Sequence, residues 1–407
     1  MADDPRPGRP AWRAAERRRL ARFAAGSFLP GIGFAWLDDA GRPDPSQPIR
    51  LWIHARMTHV FGLEAVHGDY PRARDLATAG IALLAERFED RAHGGWFDAV
   101  PPTPGPVTAA SAVEATKSAY SHAFVIIAAS TGVAAGIPGA PALLQRARSV
   151  FLGRFWDEAL GRAAERYAGA DWTGAEAYRG ANANMHAVEA FLTTASATGE
   201  EAWARRALRI ADGLVNGEAR ALGWRVPEHF DERWRMLPEY NAGRRGDHFR
   251  PYGLTIGHWL EWGRLLVALD AALPGGPAWL LEGAAALLGN AARVGWPTPD
   301  TIGCPYTVDL QGRTVVDARL FWPMAEAVLA ADAVARRLGD ANAAALGERW
   351  WADIARWFVD RAGGSWHSEL DAAGRPASTV WTGKPDTYHA YQATLFPDLP
   401  LGLGLGR

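Results

Sequence analysis

Apolar residues recur along this chain with the period of an amphipathic α-helix. Positions i, i+3, i+4 and i+7 are apolar in alanine-rich stretches that glycine and proline clusters separate. The stretches that predict helices most clearly are Ala73–Phe88, Ala181–Thr198, Gly257–Ala272, Ala325–Leu338 and Ala341–Val359. Strand-like alternation is short, as at Thr307–Val316. The pattern therefore predicts a mainly helical protein with small hairpins between the helices.

A glycine, usually followed by an aromatic residue, marks a repeat within this pattern. The marker glycines are Gly33, Gly95, Gly161, Gly223, Gly295 and Gly364, at steps of 62 to 72 residues. A unit of this length holds two helices and a hairpin-like loop. Six units predict an all-α fold, the (α/α)6 barrel, in which six helical hairpins close into a toroid with short β-hairpin loops. An open helical solenoid is the structural alternative.

The repeat runs from end to end, which favours one large domain over the two or three that 407 residues would otherwise suggest. We expect a single barrel domain over residues 11–400, with flexible tails at 1–10 and 401–407. The first ten residues lack the apolar core of a signal peptide. The apolar run Ala123–Ile137 is broken by polar residues and glycines, which indicates a buried helix. These features predict a cytoplasmic protein that does not contact a membrane.

Composition limits the classes of function and partner that fit this chain. The hydrophobic fraction of 48% and the charged fraction of 22% are ordinary for a globular protein. A net charge of −2 and the lack of a phosphate-cradling glycine loop argue against nucleic acid as a partner. The one cysteine, Cys304, excludes an internal disulfide framework and is typical of a reducing compartment. Tryptophan is abundant, at 19 residues, and we interpret most of these side chains as packing between helices.

Unusual polar residues fall at one distance from the marker glycines. Tyr120, His186 and His389 each lie 25 residues after their marker, and Arg56 lies 23 residues after its own. A common distance means a common level in every unit. If that level is the start of the inner helices, these side chains converge on one pocket suited to a polar small molecule.

His258 fits the same phase only with an insertion. It lies 35 residues after Gly223, in the longest unit, and an insertion within Glu228–Asp247 would restore the common distance. Glu261 follows His258 at i+3, close enough on a helix for its carboxylate to orient the ring and raise its basicity. The predicted ring consists of Arg56, His186, His258 and His389.

Four short segments carry a resemblance to a known family. They are Arg56–Phe61, Asn182–His186, Phe249–Gly253 followed by Gly257-His258 and Glu261-Trp262, and Gly383–Asp386 followed by Tyr388-His389. In this order they resemble the N-acylglucosamine 2-epimerase superfamily, and within it the aldose–ketose isomerase branch of the D-mannose isomerases. The resemblance implies an (α/α)6 barrel that acts on a free monosaccharide without a metal or another cofactor.

The resemblance also implies roles for individual residues. His258 and His389 are similar to the family's paired acid/base histidines, and Glu261 is similar to the carboxylate that supports His258. His186 and Arg56 resemble the groups that bind the sugar and stabilise the developing oxyanion. The further substrate-binding residues that we expect are Asn182, Tyr120, Trp322, Lys384, Asp386 and Arg250.

These roles predict interconversion of D-mannose and D-fructose. His258 moves a proton to or from the ring oxygen as the hemiacetal opens, and His389 takes the C2 proton. A cis-enediolate forms, and His389 returns the proton to C1. An anionic sugar is a possible substrate because Arg56, Arg250 and Lys384 supply positive charge. Assembly into a homo-oligomer is left open.

Several alternatives remain at this point. Two histidines on opposite faces of the sugar would give 2-epimerisation with the same residues. A glycoside hydrolase would need two carboxylates, and the candidates Glu176, Asp247, Glu261, Asp317 and Asp386 show no pair at matched phase. A metal-dependent isomerase would need clustered ligands, and no spacing of that type stands out. A non-catalytic toroid that binds carbohydrate or protein is the last alternative.

Overall fold

The computed structural model describes residues 6–402 of the chain. Within them lie twelve α-helices, which are α1 (Pro10–Ala25), α2 (Leu51–His67), α3 (Ala73–Leu83), α4 (Ala119–Ala134), α5 (Ala140–Arg154), α6 (Ala181–Thr198), α7 (Glu201–Ala211), α8 (Ile256–Ala272), α9 (Trp279–Gly295), α10 (Phe321–Leu338), α11 (Ala341–Asp353) and α12 (Tyr388–Leu395). Three of these helices, α3, α7 and α11, continue directly into π-helical turns at Leu84–Phe88, Asp212–Ala219 and Ile354–Phe358. A short 3₁₀ turn, Phe396–Asp398, follows α12.

The strands are two or three residues long. They are β1 (Phe28–Leu29), β2 (Gly33–Phe34), β3 (Ile49–Arg50), β4 (Ala99–Val100), β5 (Lys117–Ser118), β6 (Trp156–Asp157), β7 (Arg162–Ala163), β8 (Arg166–Tyr167), β9 (Arg179–Gly180), β10 (His229–Phe230), β11 (Leu254–Thr255), β12 (Thr307–Val308), β13 (Thr314–Val316), β14 (Arg319–Leu320) and β15 (Glu369–Leu370). They form small antiparallel ribbons and hairpins.

The five helices that the periodicity predicts most clearly are present as α3, α6, α8, α10 and α11. The prediction of Ala181–Thr198 has the same bounds as α6. The prediction from Ala73 to Phe88 is confirmed as α3 and its π-helical turn. α10 begins four residues before its predicted start, because Pro323 is tolerated in the first turn of a helix. The apolar run Ala123–Ile137 lies within buried α4 up to Ala134, where the helix ends, and the alternating segment Thr307–Val316 forms the β12–β13 hairpin.

Buried and half-exposed helices alternate along the chain. The helices α2, α4, α6, α8 and α10 are buried over most of their length. Each is followed by a helix with one apolar face, and α3, α5, α9 and α11 pack on their preceding partners. Tryptophan supplies much of the filling, since Trp96, Trp259, Trp262, Trp350 and Trp366 are among the largest fully buried side chains. This alternation of inner and outer helices is the pattern of an α/α fold.

Four inner helices, α2, α4, α8 and α10, begin where the chain pairs with a strand of the next repeat. The strand β3 leads directly into α2 and pairs with β4, and β5 leads into α4 and pairs with β8. In the same way, β11 precedes α8 and pairs with β12, and β14 precedes α10 and pairs with β15. These ribbons fix the first turns of the inner helices.

The described residues divide into two compact units. The N-terminal unit comprises residues 20–210 and 385–388, and the C-terminal unit comprises residues 6–19, 211–384 and 389–402. The helices α2 to α6 belong to the N-terminal unit, and α8 to α11 belong to the C-terminal unit. The predicted single domain over 11–400 stays a prediction. The predicted tails fall partly on residues 1–5 and 403–407, which lie outside the described residues, and α1 already begins at Pro10.

Among residues 6–402, no helix combines the length and the apolar character needed to cross a membrane.

Candidate active site

The predicted site residues on α2, α4, α6, α8, α10 and α12 lie in the first two turns of those helices. Tyr120, Trp322 and His389 are the second residues of α4, α10 and α12, and His258 is the third residue of α8. Arg56 and His186 are the sixth residues of α2 and α6. Positions two and six of a helix share a face, one turn apart.

In the C-terminal unit, His258 is bound by a carboxylate. Its Nδ1 lies 3.0 and 2.9 Å from the two carboxylate oxygens of Glu228. Glu228 is buried and also accepts a hydrogen bond of 3.3 Å from the backbone N–H of Thr255, one residue before α8. The sequence prediction gave this supporting role to Glu261, but the structure assigns the Nδ1 contact to Glu228. Glu228 comes from the long connection before α8, where helical spacing carries no information.

His389 is the second histidine of this unit, and it belongs to a buried chain of charges. Its Nδ1 lies 2.8 Å from Oε1 of Glu326 on α10. The other oxygen of Glu326 accepts a hydrogen bond of 2.6 Å from Nε of Arg264 on α8. Nη2 of Arg264 also donates to Glu261, at 3.4 Å. All four side chains are at most 5% exposed, so each charge relies on the others in place of water.

The charge state of Glu326 follows from these neighbours. Burial alone would raise the pKa of its carboxyl, but the positive charge of Arg264 and the hydrogen bond from His389 outweigh burial, and the pKa is lowered. Glu326 is therefore ionised at neutral pH and accepts a hydrogen bond from the Nδ1–H of His389. That tautomer leaves the lone pair of the imidazole on Nε2.

One indole lies beside both histidines. The ring centroid of Trp322 is 5.3 Å from that of His258 and 5.7 Å from that of His389, at similar interplanar angles of 38° and 40°. Trp322 also sits against the second residue of α8, since a Cβ on Gly257 would lie 2.4 Å from its ring. His258 and His389 therefore belong to one cluster despite the irregular phase of His258.

A metal is a poor fit for the acidic end of this cluster. Ligand atoms of Glu261, Glu326 and His389 lie within 4.8 Å of one another, close enough for a cation. However, the guanidinium of Arg264 already contacts both carboxylates. A second cation there would meet the charge of Arg264. This donor set is better explained as an ion-pair network.

In the N-terminal unit, Arg56 is held in an aromatic cage. Its guanidinium lies 4.3 Å from the ring centroid of Phe124, 4.8 Å from that of Tyr388 and 5.0 Å from that of Trp52. Nη1 donates to Asp386 at 3.1 Å, and Nη2 donates to the hydroxyl of Tyr120 at 2.9 Å. Burial would lower the pKa of Arg56, but Tyr120 and Asp386 raise it above its usual value, so the charge is permanent.

His186 is the third of the predicted histidines and also contacts a carboxylate. Its Nδ1 lies 3.1 Å from Glu189, at i+3 on α6. The rings of Phe124 and Tyr120 lie against it, with centroids at 4.7 and 5.2 Å. Asn182, one turn earlier, is half-buried, and its Oδ1 has no hydrogen-bond partner among residues 6–402. His186, Tyr120 and Arg56 thus form one connected group.

Two further predicted residues have structural neighbours. The ammonium of Lys384 lies 2.5 Å from Asp360 and 2.8 Å from the carbonyl of Gly364. Lys117 binds Asp90 and the carbonyl of Gly94 in the same manner, four sequence repeats earlier, so this contact is part of the repeat. Arg250 lies in the connection before α8, with Nη1 3.5 Å from the hydroxyl of Tyr240. Their substrate-binding roles stay predictions.

Sequence reasoning missed the carboxylates that hold the histidines. Glu189 was detectable, because it stands at i+3 from His186, the spacing that drew attention to Glu261. Glu228 and Glu326 are 30 and 63 residues from their histidines, and no local spacing reveals them. His258 and His389 lie in the C-terminal unit and Arg56 and His186 in the N-terminal unit. The predicted ring of all four stays a prediction.

Carboxylate-bound buried histidines on a framework of paired helices are groups suited to proton transfer. Comparison with known proteins narrows the class. The model of the family N-acylglucosamine 2-epimerase (GlcNAc 2-epimerase) matches residues 33–393, and the chain belongs to this family.

Curated relatives cover nearly the whole chain. The chain is 46% identical over 396 residues to the D-mannose isomerase of Thermobifida fusca, a match that covers 97% of this chain and 95% of that protein. It is 41% identical over 403 residues to the D-mannose isomerase of Pseudomonas cannabina pv. alisalensis, covering 98% and 95%. The protein is thus an isomerase, of the kind that acts on sugars by isomerisation or epimerisation.

A solved structure agrees with the predicted fold. The crystal structure of a D-mannose isomerase matches with a TM-score of 0.87 and 25% identity, covering 95% of this chain and 97% of that chain. The fold class predicted from the six-unit repeat, the all-α (α/α)6 barrel, is confirmed by this likeness and by the mainly helical structure.

Proposed function

We propose that this protein is an aldose–ketose isomerase that interconverts D-mannose and D-fructose. The observation that carries the proposal is the His389–Glu326 pair, in which an ionised carboxylate holds Nδ1 and leaves Nε2 as a base. The names of the two curated relatives, at 46% and 41% identity, support the choice of sugar. The role of each residue below is part of the proposal.

His389 transfers the proton between carbons. The C2 hydrogen of an aldose is weakly acidic, and an imidazole suits this step because its ordinary pKa is close to neutral pH. When His389 takes the proton, Glu326 stabilises the imidazolium at a distance of 2.8 Å. The same nitrogen then returns the proton to C1 while a second proton moves from O2 to O1, which converts the enediolate into the ketose.

Arg56 stabilises the enediolate. The C–H bond breaks only if the negative charge that develops on oxygen is bound, and a buried guanidinium is a permanent donor for it. Its cage of rings and its bonds to Asp386 and Tyr120 fix its direction before substrate arrives. His186, held by Glu189 beside Tyr120, binds a sugar hydroxyl.

His258 opens the sugar ring. The hemiacetal must lose its C1 hydroxyl proton while the ring oxygen gains one, and a histidine held by Glu228 can move that proton. A division of work between His258 and His389 gives an isomerase. If both histidines instead exchanged the C2 proton from opposite faces, the product would be glucose. Their similar distances from the one indole of Trp322 are the observation that favours this second candidate.

Incubation with D-mannose in D2O, followed by NMR, separates these functions. Fructose as the product supports the proposal, and glucose carrying deuterium at C2 supports the epimerase. Sugar that stays unchanged, with no deuterium at C2, contradicts both and favours a binding protein. Release of sugar from an aryl glycoside would instead indicate a hydrolase. The His389→Gln variant, in the same buffer, measures the background.

A further inference from the structure

Arg264 occupies a place that the proposed mechanism does not use. It lies on α8, one turn after Glu261, and is 5% exposed. Its Nε binds Glu326 of α10 at 2.6 Å and its Nη2 binds Glu261 at 3.4 Å. The arginine thus ties together two carboxylates, one of which holds the proposed base.

The charges around Glu326 require such a partner. Glu326 is faced by Arg264 from α8 and by His389 from α12, and Glu261 of α8 lies within 4.8 Å of both Glu326 and His389. Without the arginine, two buried carboxylates would stand beside one imidazole. Like charges at this distance force a proton onto the group, and the nearest base that can take it is His389.

We propose that Arg264 is a positioning residue that keeps His389 unprotonated, and so ready to take the C2 proton, by neutralising Glu326 and Glu261. It does not touch the reacting atoms and acts through Glu326. The inference rests on the proposed role of His389 as the base. It adds a specific claim, that the pH at which this base becomes active is set by an arginine on another helix.

The two carboxylate oxygens of Glu326 also have different partners. One oxygen accepts from Nδ1 of His389 and the other from Arg264, so the carboxylate cannot rotate without losing one partner. A lysine at position 264 keeps the charge but loses the planar, directed donor. Charge and direction are therefore separable by substitution.

The test compares Arg264→Met and Arg264→Lys with the wild type in two measurements. The first is the pH profile of kcat/KM for mannose. The second is the titration of the His389 imidazole by NMR without substrate, with its signal assigned by its loss in His389→Gln. The control is Arg337→Met, which removes an exposed arginine paired with Asp270 on the same pair of helices.

In Arg264→Met we expect the acidic limb of the profile and the imidazole titration to move together to higher pH, by about one unit. At pH values on the acidic side of the limb, kcat/KM would then be about tenfold lower than in the wild type, and on the alkaline plateau the loss would be much smaller. Arg264→Lys should move both by less than half as much, and Arg337→Met should move neither.

Outcomes that overturn the inference are equally specific. An unmoved imidazole titration in Arg264→Met, or movement to lower pH, contradicts the neutralising role. Equal shifts in the lysine and methionine variants contradict it too, because lysine keeps the charge. If Arg264→Met does not fold, the test uses Arg264→Lys and the double variant Arg264→Met/Glu261→Gln instead. In the double variant one carboxylate charge is also removed, so the His389 imidazole should titrate closer to its wild-type pH. The NMR titration needs no turnover, so a wild type inactive on mannose would defeat the proposed function without deciding this inference.

Discussion

The two units show two kinds of buried histidine, one with backbone partners and one, to which His186 of the N-terminal unit also belongs, with a carboxylate partner. In the N-terminal unit, His54 accepts a hydrogen bond from the backbone N–H of Phe34 at 3.1 Å, and its other nitrogen donates to a carbonyl at 3.0 Å. His122 is held in the same manner between the N–H of Trp96 and the carbonyl of Ser118. In the C-terminal unit, His258 and His389 have carboxylates at Nδ1.

The partner decides what each ring can do. Two backbone partners, one a donor and one an acceptor, require a neutral imidazole, and burial lowers the pKa of His54 to about 4 and that of His122 to about 3. A carboxylate accepts a hydrogen bond from Nδ1–H of both imidazole and imidazolium, so this partner allows the ring to gain and lose a proton. Histidines at similar places in the repeat are thus structural in one case and suited to acid/base work in the other.

The largest expected effect is at His389. Replacement by glutamine keeps a polar side chain but removes the proposed base, and we expect kcat for mannose to fall by about 10³-fold. The thermal midpoint should change little. Steady-state kinetics and a melting curve on the same preparation make the check. A kcat within tenfold of the wild type would remove His389 from the role of base.

Glu326 comes next. Glu326→Gln keeps the shape but loses the charge that orients His389 and stabilises its cation, and we expect kcat to fall by roughly 100-fold. Glu369→Gln is a control, since Glu369 is buried in the same unit but binds the backbone of residues 379–381. We expect Glu369→Gln to lower the free energy of unfolding and to leave kcat nearly unchanged. Equal losses of kcat in the two variants would contradict the special role of Glu326.

The third prediction concerns a histidine with two backbone partners. His54→Leu removes the partners of the Phe34 N–H and of the Gly80 carbonyl, and we expect a loss of about 2 kcal/mol in the free energy of unfolding. The kcat of the folded fraction should stay within twofold. Chemical denaturation and kinetics measure both. A fall in kcat comparable to that of His389→Gln would erase the distinction between the two kinds of histidine.

The smallest expected effect is on acid stability. The pKa of His54 and of His122 is lower in the folded protein than in the unfolded chain, so the unfolded chain binds more protons as the pH falls from about 6.5 towards 4. Each should therefore contribute about 1 kcal/mol of lost stability between pH 7 and pH 5.5. Urea titrations at both pH values, on the wild type and on His122→Leu, measure how steeply the free energy of unfolding changes with pH. An unchanged slope in the variant would contradict this assignment.

Much of the fold was readable from the sequence because its cause is local. Helical periodicity placed α6 to the residue. Most marker glycines lie in turns with positive φ, namely Gly33, Gly95, Gly161, Gly223 and Gly364, whereas Gly295 ends α9. The candidate residues of the site were found because they recur near the start of helices at similar distances from the marker glycines. Their carboxylate partners were not, because Glu228 and Glu326 reach their histidines through tertiary packing between distant parts of the chain. The same spacing rule that should have found Glu189 pointed to Glu261 as the partner of His258.

The ribbons that start the inner helices suggest how such an enzyme acquires new substrates. Each pairs the strand before an inner helix with the hairpin of the following unit, as β11 does with β12. A change in hairpin length is thus felt at the first turn of a helix that carries His258 or Trp322, while the packed helices behind it stay as they are. The hairpins are therefore the natural segments to exchange between relatives or to randomise in a library when the aim is altered sugar preference on an unchanged framework.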